Sequence, residues 1–350
     1  MNPVKHPIVT LLSELFDVPA PSGREDAMAK FIAGKVRAME YPCESDPAGN
    51  LLVRIGGRSP NRAPVVMAAH LDEIGLAVAA IESDGRLRVV ASGGLMPHKI
   101  GERALDIIGD NGSVPGILSV GLAGHAGAPG RALTWEDCRV TTGLSSAELA
   151  AAGVRAGSTA VPARAGRGPL LLGTPDDPLV AGWLFDDRAG CATLLRLLDL
   201  MRRDRIQPPF PLTVAFTVHE EGGCHGAKVL AHRERPEVFF AVDGCPVTPE
   251  APLQLDGRPG IWTKDGKAHY DQRLVRDLLR IAREAGTELQ PAVYATAYSD
   301  ASAVYDAGGA PRAAFIGHVR ENSHGFEISR LAVFDNLLKT LLRFVCEWEG

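Results

Sequence analysis

Short apolar runs alternate with amphipathic helical segments at both ends of this chain, and a stretch of short β-like runs separates them. In the first part, Arg24–Met39 has helical spacing and begins at Ser22-Gly23-Arg24-Glu25, which fits a capping box. The runs Asn50–Ile55 and Pro64–Ala69 follow. The second is continuously apolar, as a strand buried on both faces requires. From about Asp72 to Leu171 the texture changes to Ile74–Ala80, Leu87–Val90, Ala104–Ile108 and Gly116–Val120, divided by turns such as Ser83-Asp84-Gly85. Only Ser146–Ala152 reads as helix there. Helix Arg188–Arg203, strand Leu212–Val218, helix Gly226–His232, strand Val238–Val242, helix Gln272–Ala285, strand Ala313–Ile316 and helix Ser329–Trp348 then restore the alternation. Such βα order predicts an α/β fold, a mostly parallel sheet sandwiched by helices. Residues 1–71 and 172–350 would form one discontinuous domain, and 72–171 a small inserted β-rich domain.

Composition adds exclusions. With 45% hydrophobic and 23% charged residues, the 350-residue chain has ordinary globular make-up. A formal net charge of −5 offers no basic face, so nucleic acid is not an expected partner. No apolar run approaches the roughly 18 residues of a membrane span. The six cysteines form no C-x-x-C pair and read as reduced thiols of a cytoplasmic protein. Ser13, Glu14 and Asp17 interrupt what could otherwise pass for a signal peptide.

Open α/β sheets bind ligands beyond the carboxyl ends of their strands, so the residues after each apolar run carry the candidate chemistry. These are His70-Leu71-Asp72, His219-Glu220-Glu221 and Asp243, with Asp186-Asp187 before a helix and His324 before the last one. Each has a structural reading by itself: Asp186-Asp187 can cap a helix, Glu220-Glu221 can be a solvated helix start, and Asp243-Gly244 is a turn pair. Together they suit two divalent ions sharing one carboxylate, with imidazole and carboxylate ligands. His70, Asp186, Glu221, Asp243 and His324 supply five ligands, and Glu220 is left as general base. Asp72 is placed to hold the other ring N–H of His70. Other chemistries lack their motifs: there is no H-E-x-x-H, no G-x-S-x-G elbow and no P-loop. Neither Cys191 nor Cys224 is set up as a nucleophile.

The segments Ala69-His70-Leu71-Asp72-Glu73-Ile74-Gly75, Phe185-Asp186-Asp187-Arg188-Ala189-Gly190-Cys191 and Glu220-Glu221-Gly222 resemble the glutamyl aminopeptidase family. That family includes the tetrahedral aminopeptidases, some once labelled endoglucanases. The resemblance implies a phosphorylase/hydrolase-like core. It implies one ion (zinc or cobalt) on His70 and Asp243, a second on Glu221 and His324, and Asp186 bridging them. Glu220 would be the base, Asp72 the residue orienting His70, and a cis peptide would follow Asp186. Asp300 matches a family aspartate near the substrate. The reaction implied is removal of N-terminal residues from peptides, by water between the ions that Glu220 deprotonates. The family's extra domain lies between the equivalents of His70 and Asp186, where it serves assembly, so dimer-based homo-oligomers up to dodecamers are implied. One departure concerns the last ligand. Where the family reads Arg-Tyr-x-His, this chain has Arg320-Glu321-Asn322-Ser323-His324, which makes His318 a second candidate. The alternatives are a metallo-amidohydrolase acting on a modified peptide or amide, and a silent assembly protein.

Overall fold

The structure, a computed structural model, describes residues 6–120 and 132–350. An eight-stranded sheet runs in the order Glu44–Ser45, Leu51–Ile55, Leu212–Thr217, Val65–His70, Val238–Pro246, Arg312–Arg320, Gly260–Lys264, Gln290–Val293. Its four central strands are parallel. Antiparallel pairing enters on either side, where Leu51–Ile55 meets Leu212–Thr217 and Gly260–Lys264 meets Arg312–Arg320. All six residues of Val65–His70 are buried, which is why that run carries no polar alternation.

Helices pack on the sheet in two groups. Pro7–Phe16, Phe185–Arg203 and Ala332–Glu347 form one, and His225–Glu234 with Asp300–Asp306 the other. Helix Phe185–Arg203 buries Leu194, Leu195, Leu197, Leu198 and Met201. Each such side chain contributes about 1.5–3 kcal/mol through area removed from water. Helix Gln272–Glu284 buries Leu274, Val275, Leu278, Ile281 and Ala282 along one stripe. Its first N–H groups, those of Arg273 and Leu274, donate to the Asp271 carboxylate at 2.8 Å.

Six further strands close a barrel, in the order Gly75–Ile81, Leu87–Ser92, Arg139–Thr141, Ser113–Ser119, Arg103–Ile108, Thr159–Pro162. Every second residue of Ser113–Ser119 points into it. Its interior, with Leu76, Val89, Leu105 and Val140, is a hydrophobic cluster separate from that around the large sheet. A three-stranded sheet, Leu170–Thr174, Asp177–Trp183 and Phe326–Arg330, carries the chain back toward helix Phe185–Arg203.

Three expectations fail for physical reasons. The last helix begins at Ala332, not Ser329, because Phe326–Arg330 is claimed by its ladder with Asp177–Trp183. The capping box at Ser22 does not form, and helix Asp26–Ala38 has no side-chain cap. The Ser22 hydroxyl instead donates to Asp72 Oδ2 at 2.6 Å. Strand Val238–Pro246 also runs beyond Val242, so Asp243 stands inside a strand and not in a turn after it.

Candidate metal centre

Parallel pairing brings the candidate residues to one edge. His70 is the last residue of its strand and is in register with Thr217, three residues before Glu220. Asp243 is in register with Gly317 on the next strand. Asp186 and Asp187 occupy a non-helical kink at the start of helix Phe185–Arg203, and the peptide bond between them is cis. His324 lies in the connection between strands Arg312–Arg320 and Phe326–Arg330.

Asp186 sits between the two histidines. Its Oδ1 is 2.9 Å from His70 Nε2, and its Oδ2 is 3.5 Å from His324 Nε2. His70 Nε2 is also 4.0 Å from Asp243 Oδ2 and 4.0 Å from Glu220 Oε2. His324 Nε2 is 3.8 Å from Glu221 Oε1, an oxygen that is buried with no hydrogen-bond partner. The donors of Asp186, Glu221 and His324 lie within 4.8 Å of one another, as do those of His70, Asp187 and Asp243. Asp187 is already engaged, since its oxygens accept from the His70 N–H at 3.2 Å and the Gly190 N–H at 2.8 Å.

Support around these groups is asymmetric. The Asp72 carboxylate accepts from the backbone N–H of Glu220 at 2.9 Å and of Glu221 at 3.1 Å. Its Oδ1 is 3.5 Å from His70 Nδ1, and the nearer partner of that nitrogen is the Asp72 backbone carbonyl at 3.1 Å. One residue thus holds the ring and the chain of both glutamates. His324 Nδ1 lies 3.1 Å from the carbonyl of Gly94, in a loop of the barrel, which leaves Nε2 to face Asp186.

Electrostatics fit a cation. Burial, and then the charge of Asp186, pushes the Asp243 carboxyl up to about 7. Burial likewise lifts Glu221 to about 8, against the pull of His324 and with the push of Asp186. Glu220 is driven well above the usual carboxylate range, first by burial. Burial opposes protonation of His324, but Glu221 and Asp186 together push it up to about 10. Burial and mutual repulsion thus raise Asp243, Glu220 and Glu221 together, a pattern common where carboxylates converge on a functional site. Imidazole nitrogen and carboxylate oxygen are also the donors that zinc-like ions take. The residues therefore fit divalent ions.

His318 packs between the rings of Phe185 and Phe334, and burial holds its imidazole down at about 3. It joins none of the ligand groups among the described residues, so the second candidate for last ligand is not in position. Asp300 is buried beside the candidate base. Its Oδ2 accepts from the Thr217 hydroxyl at 2.6 Å, beside Glu220 and Cys224. Cys191 is no nucleophile either, for its buried thiol donates to the His70 carbonyl and is pushed up by burial.

Sequence pattern places Arg320 at the start of the motif before His324 but gives it no role. Its guanidinium is buried, touches Asp186 Oδ2, and lies 3.0 Å from Glu327 and 3.7 Å from Asp243. Gly244 makes room for it, since a Cβ there would overlap Nη1. A second hidden network holds the approach: Glu73 pairs with Arg167 and Arg188 at 3.2 Å, and Arg188 donates to the Leu71 carbonyl. A cavity of about 270 Å³ opens onto the centre, lined by Glu220, Glu221, Asp243, Trp262, Tyr298 and His324 among others.

Fold and centre together present a cluster fit for divalent ions at the edge of an α/β sheet. The profile of the M42 glutamyl aminopeptidase family matches residues 49–339, and the chain belongs to that family. It is 27% identical over 240 residues to the glutamyl aminopeptidase of Lactococcus lactis subsp. cremoris, a match covering 67% of this chain and 65% of that protein. Over 238 residues it is 27% identical to the lysyl aminopeptidase of Pyrococcus furiosus, again covering 67% and 65%. The chain thus spans just under two thirds of the length of these two relatives. The solved TET1 peptidase of Pyrococcus horikoshii, described as assembling into a tetrahedron or a large octahedral shell, superposes with a TM-score of 0.84. That match has 25% identity and covers 97% of this chain and 99% of the other.

Proposed function

We propose that this chain is a two-ion aminopeptidase that removes N-terminal residues from peptides, with Glu220 as general base. The observation that carries the reading is Asp186, whose two oxygens each face a different histidine while Glu220 stands 4.0 Å from one of them. His70, Asp186 and Asp243 would hold one zinc or cobalt ion, and Asp186, Glu221 and His324 the other. Such ions supply Lewis-acid polarisation of the scissile carbonyl and ease deprotonation of water. The chain does the rest. Glu220 takes the proton of the attacking water and delivers it to the leaving amine. Asp72 fixes the Glu220 and Glu221 backbone and the His70 ring together, so base and ligands keep one geometry. Arg320 balances the crowded carboxylates from the other side.

Residues 72–171 form, in this reading, an inserted domain that serves homo-oligomeric assembly, as the shells described for the Pyrococcus horikoshii enzyme suggest. All six cysteines are free, which suits a reducing cytoplasm. Among the described residues no helix is long and apolar enough to cross a membrane.

A panel of aminoacyl-anilides assayed with Zn²⁺, Co²⁺ and Mn²⁺ tests the proposal, and ion-dependent release from at least one of them is expected. Turnover of N-blocked amides alone would assign the centre to a metallo-amidohydrolase. Fewer than one bound ion per chain after zinc or cobalt addition would leave a silent assembly protein.

A further inference from the structure

A third group of donors lies on the far side of the base. Cys224 caps helix His225–Glu234 in a left-handed conformation, and its thiol is 3.5 Å from Glu220 Oε1. Asp300 opens a short helix from another part of the chain. Thr217 occupies its Oδ2, while its Oδ1 is buried with no hydrogen-bond partner. One ligand atom each from Glu220, Cys224 and Asp300 lies within 4.8 Å of the other two. The three residues are 9%, 0% and 4% exposed, so water does not screen them from one another.

The spacing that serves a thiol hydrogen bond also fits a shared metal ion. A tetrahedral ion holding sulfur at about 2.3 Å and oxygen at about 2.0 Å sets those two atoms about 3.5 Å apart. The observed separation of Cys224 Sγ and Glu220 Oε1 is 3.5 Å. The unpartnered Asp300 oxygen is a third donor, and Glu220 lines the cavity that provides the way in.

We propose that Glu220, Cys224 and Asp300 form a third, inhibitory ion site for a thiophilic divalent cation such as Zn²⁺ or Cd²⁺. Binding replaces the thiol S–H bond with a sulfur–metal bond and releases the proton to solvent through the cavity. It also engages Glu220 through Oε1 and so lowers the basicity of the carboxylate that would otherwise take the proton of water. The inhibitory part rests on Glu220 being the base, but occupation of the site does not. Hydrolysis would therefore rise as the first two sites fill and fall as zinc increases further.

The test uses the full chain loaded with two ions, as wild type, Cys224→Ser and Asp300→Asn. Cd²⁺ is titrated while the ultraviolet thiolate-to-cadmium charge-transfer absorption is followed. The expected result is a wild-type-minus-Cys224→Ser difference band that saturates at one ion per chain. Zinc inhibition, normalised to each protein's own activity at two ions, should shift upward in both variants by at least about tenfold, the loss that even an outer-shell metal partner causes. Absence of the difference band overturns the site, whether or not the protein hydrolyses peptides. A band accompanied by equal zinc inhibition in all three proteins overturns the inhibitory role. In a protein that cleaves no aminoacyl-anilide the band still decides the site, so failure of the aminopeptidase reading is seen separately.

Discussion

His70 and His324 face the same aspartate from supports of very different stiffness. His70 ends an interior strand, is 2% exposed, and has its second nitrogen against the Asp72 carbonyl. His324 stands in a connection between strands, with a side chain 32% exposed and a left-handed φ of 60°, two residues after Asn322 with a left-handed φ of 59°. Its backbone N–H reaches Glu327 and its ring reaches a barrel loop. The His70 end is fixed by the same sheet that makes the core. The His324 end is fixed by a few contacts that can loosen without disturbing that core. Ion affinity should follow this division, with the ion at His70 held more firmly and the one at His324 exchanging first.

The largest effect should come from the proposed base, close to the His70 end. Glu220→Gln is expected to lower kcat by about 10²–10⁴, the usual worth of a general base, while elemental analysis still finds two ions per chain. Undiminished turnover in that variant would remove Glu220 from the chemistry. Next, His70→Ala should destabilise the chelated protein by about 3–5 kcal/mol, because it breaks a buried pair with Asp186. His324→Ala should cost below about 1 kcal/mol, as its pair is longer and partly solvated. Denaturant titrations of both variants check this, and equal losses would abolish the distinction between the ends. Smaller again, Asp72→Ala should weaken affinity for both ions by about 10–100-fold, since its carboxylate supports His70 and the Glu221 chain alike. Competition against a chelator would show a loss confined to one ion if Asp72 served only the His70 side.

Much of this centre could be read from the chain. Continuous apolar runs mark interior parallel strands, and parallel strands deposit whatever follows them on one edge, so His70, Glu220 and Glu221 are found by looking just past those runs. Asp243 is found the same way, although its strand continues through it. Residues whose role depends on distant partners could not be seen. Arg320 reads as an ordinary charged residue near a strand end, and only burial against Asp186, Asp243 and Glu327 gives it meaning. Ser22 offers a good local cap, yet Asp72 wins its hydroxyl from fifty positions away. Ser329-Arg330 has the look of a helix start, and pairing of Phe326–Arg330 with Asp177–Trp183 decides otherwise. Tertiary partners override local preference at all three places.

Gly93 and Gly94 let a loop of the barrel come close to His324 and Glu221. A side chain on Gly94 would collide with the His324 ring, and one on Gly93 would press on Ile74 and approach Glu221. Two of the three ligands proposed for the second ion, Glu221 and His324, therefore approach the barrel, whereas His70 and Asp243 belong to the sheet. A rotation of the barrel relative to the sheet would stretch one pair of ligands and leave the other untouched. Contacts made on the barrel by another molecule would then be felt as a change in how tightly a single ion is gripped.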